Sequence, residues 1–243
     1  MNYASAEANP TSHKHLFSSE VVGLASADVN NVRNNMKFKD CGNTPLGLYP
    51  LVDRAYKLKT LYELGITTAQ LRTKDLKNEA LENEIKKAIE ISKQYKARLF
   101  INDFWELAIK HKAYGIHLGQ EDLETANLEE IHHAGIRLGV STHTTKEIEM
   151  ALSIEPSYLA IGPIFETTSK VVNYNTVGTG ELAKWSKSVH YPIVAIGGIN
   201  LSNIKNIINI KTVDGIAIIS EILEKNEISP SKTKALLKLF SKK

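Results

Sequence analysis

Eight short apolar runs, each stopping at glycine or a polar side chain, constrain this chain more than any other feature. They are Leu46–Val52, Thr67–Arg72, Arg98–Asn102, Gly115–Leu118, Arg137–Ser141, Tyr158–Gly162, Pro192–Ile196 and Gly215–Ile219. Runs this short and this apolar suit strands buried on both faces. Amphipathic stretches such as Ala80–Tyr95, Lys146–Leu152 and Ser202–Ile208 lie between them. In the first of these, Glu82, Lys86 and Glu90 stand one turn apart on a face predicted to be solvated. Alternating units of this kind predict an α/β fold, a single (β/α)8 TIM barrel, ahead of an open doubly wound sheet.

At 243 residues the chain is long enough for such a barrel as one domain, spanning residues 46–243. Residues 1–45 read as a flexible extension or linker remnant, expected to be dispensable. They are rich in Asn, Ser and Ala, with Val21–Leu24 as an apolar break. The net charge of +3, from 30 Lys+Arg against 27 Asp+Glu, provides no global field for nucleic acid or a membrane surface. Local basic clusters must therefore carry any anion binding. The lone Cys41 excludes an internal disulfide framework and a cysteine-based zinc site, and fits a reducing cytosol. No apolar stretch approaches the roughly 20 residues that span a bilayer, and no basic segment leads into an apolar core. The expected protein is cytoplasmic and acts on small phosphorylated molecules. Its oligomeric state is left open, a homo-oligomer included.

In a barrel the site forms at the carboxyl ends of the strands, so those ends carry the functional information. The third ends in Asn102-Asp103, and the fourth runs Gly115-Ile116-His117-Leu118-Gly119 into Gln120-Glu121-Asp122. Asp103 and Asp122 are candidates to converge on a hard cation such as Mg²⁺, whereas a single Asp would merely cap the next helix. The second strand ends in Gln70-Leu71-Arg72-Thr73-Lys74. Alternation places Gln70, Arg72 and Lys74 together, an amide and two cations suited to phosphate. After the sixth come Gly162-Pro163-Ile164-Phe165-Glu166 and then Thr167, Thr168, Ser169 and Lys170, hydroxyl donors followed by a charge. Gly197-Gly198 after the seventh strand and Ile219-Ser220 after the eighth predict a backbone phosphate cradle, completed by a helix N-terminus. His117 is a candidate pocket residue and His143 a weaker one. Tyr49, at the end of the first strand, is placed to flank a planar ring.

Six of these motifs, in this order, resemble thiamine-phosphate synthase across roughly residues 46–225: Gln70–Lys74, Asn102-Asp103, Gly115–Asp122, Gly139–His143, Gly162–Lys170 and Ala195–Ile199. The resemblance implies condensation of a pyrimidine-methyl diphosphate with thiazole phosphate, giving thiamine phosphate and pyrophosphate. Diphosphate would leave first, so the step needs charge neutralisation rather than a strong base. By the resemblance, Asp103 and Asp122 hold Mg²⁺. Arg72, Lys74, Asn102 and Lys170 contact diphosphate, with Thr167 and Ser169 assisting. Gln70, Ser141 and His117 line the pyrimidine pocket, and the Gly197-Gly198 and Ile219-Ser220 backbones hold the thiazole phosphate. Lys170, Arg72, Lys74 and Ser141 are the residues expected to carry catalysis.

The chain departs from the family pattern at Glu166, where proline is frequent, at Ser169 in place of threonine, and at Phe104 in place of arginine. None removes a metal ligand or a main phosphate contact. A thiazole tautomerase-like relative tends to lack the second acidic motif, which Asp122 provides here. A non-catalytic phosphate-binding regulatory barrel has no need for two carboxylates facing three cations. A sugar-phosphate barrel enzyme would be expected to show a placed base.

Overall fold

The computed structural model describes residues 36–167 and 175–240. Within them eight parallel strands pair in chain order, and the eighth pairs with the first to close the sheet. They are β1 (Gly47–Val52), β2 (Thr68–Leu71), β3 (Arg98–Asn102), β4 (Gly115–Leu118), β5 (Arg137–Thr142), β6 (Tyr158–Ile161), β7 (Ile193–Ile196) and β8 (Gly215–Ile218). Each falls on one of the apolar runs, differing at an end by a residue at most. The closing register sets Gly47 beside Gly215 and Pro50 beside Ile218.

The helices are α1 (Ala55–Glu63), α2 (Asn78–Gln94), α3 (Trp105–Lys110), α4 (Gln120–Thr125), α5 (Leu128–His133), α6 (Thr145–Leu152), α7 (Gly178–Ser188), α8 (Ile204–Ile208) and α9 (Pro230–Phe240). Helix α2 shows why such segments lie on the sheet. Leu81, Ile85, Ala88 and Ile89 recur every three or four residues and are all buried. On the solvated face Lys86 and Glu90 are exposed, and Glu82 binds Lys110 at 2.6 Å and His111 at 2.8 Å, tying α2 to α3. Side-chain caps start two helices: Asn127 accepts from Glu130 N–H before α5, and Thr144 accepts from Glu147 N–H before α6. After β8 comes a 3₁₀ turn (Ser220–Ile222) where an α-helix start was expected, then a hairpin of β9 (Leu223–Glu224) and β10 (Glu227–Ile228).

Strand alternation sorts the core into two layers. Leu99, Ile101, Ile116, Leu118, Leu138 and Val140 join the layer shared with the helices. Tyr49, Leu51, Phe100, Tyr158, Ala160, Val194 and Ala217 form the other, inside the barrel. The interior is strongly aromatic: Phe100 lies 5.1 Å from Tyr158 and 5.8 Å from Tyr49, centroid to centroid. Two strand glycines make room for these rings. A Cβ at Gly115 would stand 2.5 Å from the Phe100 ring, and one at Gly139 only 2.1 Å from Tyr158.

Residues 36–45, assigned above to the extension, pack on the barrel. Met36, Phe38 and Cys41 are buried. Phe38 N–H donates to Glu155 O, and its ring meets His132 edge-on at 5.5 Å. Arg98, at the start of β3, is the anchor. Its guanidinium donates to the carbonyls of Cys41, Thr44 and Pro45 and to Thr68 Oγ1, at 2.6 to 3.3 Å. A buried guanidinium must be surrounded by acceptors, and this short segment supplies three carbonyls. Burial also pushes the Cys41 thiol up to about 11, so it packs as an apolar group rather than a nucleophile. Within the described residues the packed body therefore extends back to Met36, and residues 1–35 lie outside the described residues.

Candidate active site

The strand ends bring most of the predicted residues to one mouth. Gln70, Asn102, His117 and Ser141 lie on β2 to β5, with Asn102 registered against His117. Gln70, Asn102 and His117 are buried. His117 is held at both ring nitrogens, Nδ1 to the Tyr158 hydroxyl at 2.7 Å and Nε2 to Ser141 Oγ at 2.8 Å. The Tyr158 and Tyr49 hydroxyls are 2.9 Å apart, and Gln70 Nε2 donates to Tyr49 at 3.3 Å. Burial pushes both phenols above the usual tyrosine range, which keeps them neutral. Gln70 Oε1 is buried with no hydrogen-bond partner among the described residues. Tyr49 is thus not a flank for a ring at a strand end. It sits mid-strand inside the barrel, 1% exposed.

Asp103 and Asp122 lie near enough to interact electrostatically. Asp103 follows β3 in a left-handed conformation, with φ of 65°, which short polar side chains tolerate best. Its N–H donates to the His117 carbonyl at 3.0 Å, binding this turn to β4. Asp122 lies in the first turn of α4, where the Gly119 N–H donates to Oδ2 at 3.1 Å. Burial and the nearby Asp103 charge raise the pKa of Asp122, against lowering by the Gly119 N–H and Lys74. Lys74 Nζ donates to Asp103 Oδ2 at 2.5 Å. Alternation does not place Lys74, because β2 stops at Leu71. Instead Arg72 N–H donates to Val52 O and Thr73 Oγ1 to Asp53 O, fastening the loop to the end of β1. Arg72 is partly exposed.

Across the mouth, Gly197 and Gly198 adopt φ of +100° and +65°. They lie so close to the chain after β6 that a Cβ on Gly198 would meet Glu166 O at 2.3 Å. A cavity of about 230 Å³ opens there, lined by Thr167, Gly197, Gly198, Ile219, Ser220 and also Asn200. Asn203 Nδ2 donates to Gly198 O at 2.9 Å and Asn203 Oδ1 accepts from Asn200 N–H, which fixes the loop. Ser169 and Lys170 lie outside the described residues. Glu166 is exposed at the cavity rim, and Phe104 packs against the core. His143 is paired with Glu147 at 2.9 Å.

Sequence patterns missed Tyr158, Gln120 and the two asparagines. Tyr158 had a signal, since it is two residues before Ala160 on the inward side of β6. Gln120, whose Nε2 donates to Ser141 O at 2.6 Å, had none. Among the described residues no three His, Cys, Asp or Glu side chains gather as a metal cluster. No helix among them is long and apolar enough to cross a membrane.

Polar strand ends gathered at the mouth of a closed parallel barrel define a (β/α)8-barrel enzyme. Residues 49–222 match the family described as thiamine monophosphate synthase, and the chain belongs to that family. The thiamine-phosphate synthase of Serratia proteamaculans (strain 568) is 48% identical over 180 residues, covering 74% of this chain and 84% of the relative. That of Salmonella schwarzengrund (strain CVM19633) is 49% identical over 180 residues, covering 74% and 85%. The solved structure of a thiamine phosphate pyrophosphorylase from Pyrococcus furiosus superposes with a TM-score of 0.70 at 27% identity, covering 87% of this chain and 98% of that one.

Proposed function

We propose that this protein is a thiamine-phosphate synthase acting in the cytoplasm. It joins 4-amino-2-methyl-5-hydroxymethylpyrimidine diphosphate to 4-methyl-5-(2-phosphoethyl)thiazole, and releases pyrophosphate. The observation that carries this reading is the acidic pair, Asp103 and Asp122, with Lys74 seated on Asp103. Two neighbouring carboxylates fit Mg²⁺, which takes one or two carboxylates and completes its shell with water and phosphate oxygens. The raised pKa of Asp122 supports the fit, because a divalent cation would relieve a repulsion that Lys74 only partly offsets. When bound, the ion neutralises charge building on the departing diphosphate.

The chain's own groups do the rest. Arg72, Lys74, Asn102 and Lys170, assisted by Thr167 and Ser169, bind the diphosphate and stabilise it as its charge grows. Gln70, Ser141 and His117 hold the pyrimidine so that its exocyclic carbon faces the thiazole nitrogen. The Gly197-Gly198 and Ile219-Ser220 backbones cradle the thiazole phosphate, for which the cavity of about 230 Å³ offers room. Incubation with both substrates and Mg²⁺ should yield thiamine phosphate and pyrophosphate, and excess chelator should stop the reaction. No product with Mg²⁺ present would overturn the function, and full turnover in chelator would overturn the metal.

A further inference from the structure

Gln70, Tyr49, Tyr158, His117 and Ser141 form one unbroken hydrogen-bonded string through the barrel interior. Successive distances are 3.3, 2.9, 2.7 and 2.8 Å. Its ends, Gln70 and Ser141, are the residues assigned above to the pyrimidine. Its middle is sealed, with Tyr49 1% and Tyr158 0% exposed.

Such a string has a polarity, and the Gln70 end sets it. With the Gln70 amide turned Nε2 toward Tyr49, the Tyr49 oxygen accepts there, which leaves its single proton for Tyr158. The Tyr158 oxygen accepts that proton and gives its own to Nδ1 of His117. A neutral imidazole whose Nδ1 accepts carries its proton on Nε2, which then donates to Ser141 Oγ. Ser141 accepts at its oxygen, and its own proton remains for another partner. The opposite polarity would point the Tyr49 hydroxyl proton at the amide N–H of Gln70. At the far end, Gln70 Oε1 is the buried side-chain oxygen that has no partner among the described residues.

We propose that Tyr49 and Tyr158 are positioning residues that fix the donor–acceptor pattern the site offers to the pyrimidine: an acceptor at Gln70 Oε1 and a donor at the Ser141 hydroxyl, linked through His117 as the Nε2–H tautomer. This rests on the assignment of Gln70 and Ser141 to the pyrimidine. An aminopyrimidine presents the matching groups, an exocyclic N–H and ring nitrogens that accept. A 4-oxo analogue would set a carbonyl against Gln70 Oε1, acceptor against acceptor, so the string selects amino over oxo. Because burial keeps both phenols neutral, the pattern is set without introducing charge.

Nitrogen NMR of histidine-labelled, substrate-free protein, with His117→Gln for assignment, reads the tautomer directly. The wild type should show His117 protonated at Nε2, and Tyr158→Phe should mix the two tautomers. In steady state, Tyr49→Phe and Tyr158→Phe should raise KM for the pyrimidine diphosphate about tenfold. KM for the thiazole phosphate should not move, and discrimination against the 4-oxo analogue should fall. Tyr62→Phe is the control, since it removes a buried phenol hydrogen bond to Ser92 outside the string. It should leave both KM values unchanged.

His117 protonated at Nδ1 in the wild type overturns the polarity. An unchanged pyrimidine KM in both variants, or an equal rise in both KM values, overturns the positioning role. If the wild type makes no thiamine phosphate, the functional assignment fails while the tautomer still decides the string.

Discussion

At Asp122 burial and the Asp103 charge act in the same direction, raising the carboxyl above its ordinary 3.8. The unfolded chain therefore ionises first as pH rises. The stability tied to this group is complete below 3.8 and is lost as pH climbs through the raised folded value. Without Mg²⁺, Asp122→Asn should thus melt higher than wild type above the carboxylate range and equal to it below. Added Mg²⁺ should raise the wild type alone. Melting curves across pH with and without the ion check this, and a wild type that gains nothing from Mg²⁺ would contradict the ligand assignment. Gly139 belongs to the same scale. An added Cβ 2.1 Å from Tyr158 must displace that ring. Gly139→Ala should therefore destabilise the barrel by about 1–3 kcal/mol, visible by denaturant titration, and reduce activity as well. Composition gives no hint of this constraint, because it arises from a ring on the neighbouring strand.

Among the elements, the strands follow the apolar runs closely, because a strand buried on both faces must be apolar throughout. The loops after them were less legible. Alternation groups Arg72 and Lys74 with Gln70, yet β2 ends at Leu71, and hydrogen bonds to Val52 and Asp53 place the following residues. After β8 a 3₁₀ turn stands where a helix start was expected, so the proposed phosphate cradle would rely on the left-handed Gly197 and Gly198 and on Asn203. The segment joining β6 to α7 carries Lys170, assigned here to the departing diphosphate. Lys170→Ala should lower kcat and kcat/KM together, by about a hundredfold, because the charge matters most as diphosphate leaves. A change confined to KM would make it a uniform binder.

For the whole molecule, residues 36–45 belong with the barrel, so the packed body extends beyond the expected boundary at Leu46. A chain beginning at Met36 is expected to keep the melting temperature and rate of the full protein. One beginning at Leu46 loses buried Met36, Phe38 and Cys41 and three carbonyl acceptors of Arg98. It should be destabilised by at least about 3 kcal/mol, from lost burial and a guanidinium left short of partners. At roughly 2–4 °C per kcal/mol for a domain of this size, a thermal melt would resolve the two truncations. Equal melting by both would show that the segment adds nothing.

The sequence by itself determined the closed barrel and the order of the polar residues at its strand ends, because eight apolar runs and the residues that end them are local patterns. It also pointed to the two acidic residues, since Asp103 directly follows β3 and Asp122 lies in the first helical turn after β4. Only the tertiary structure decided that Tyr49 and Tyr158 meet across the barrel from positions 109 residues apart, and that Arg98 holds residues 41–45. It also decided that Lys74 sits on Asp103. Those contacts depend on which side chains closure brings face to face, and a periodicity along one chain carries no record of the opposite wall.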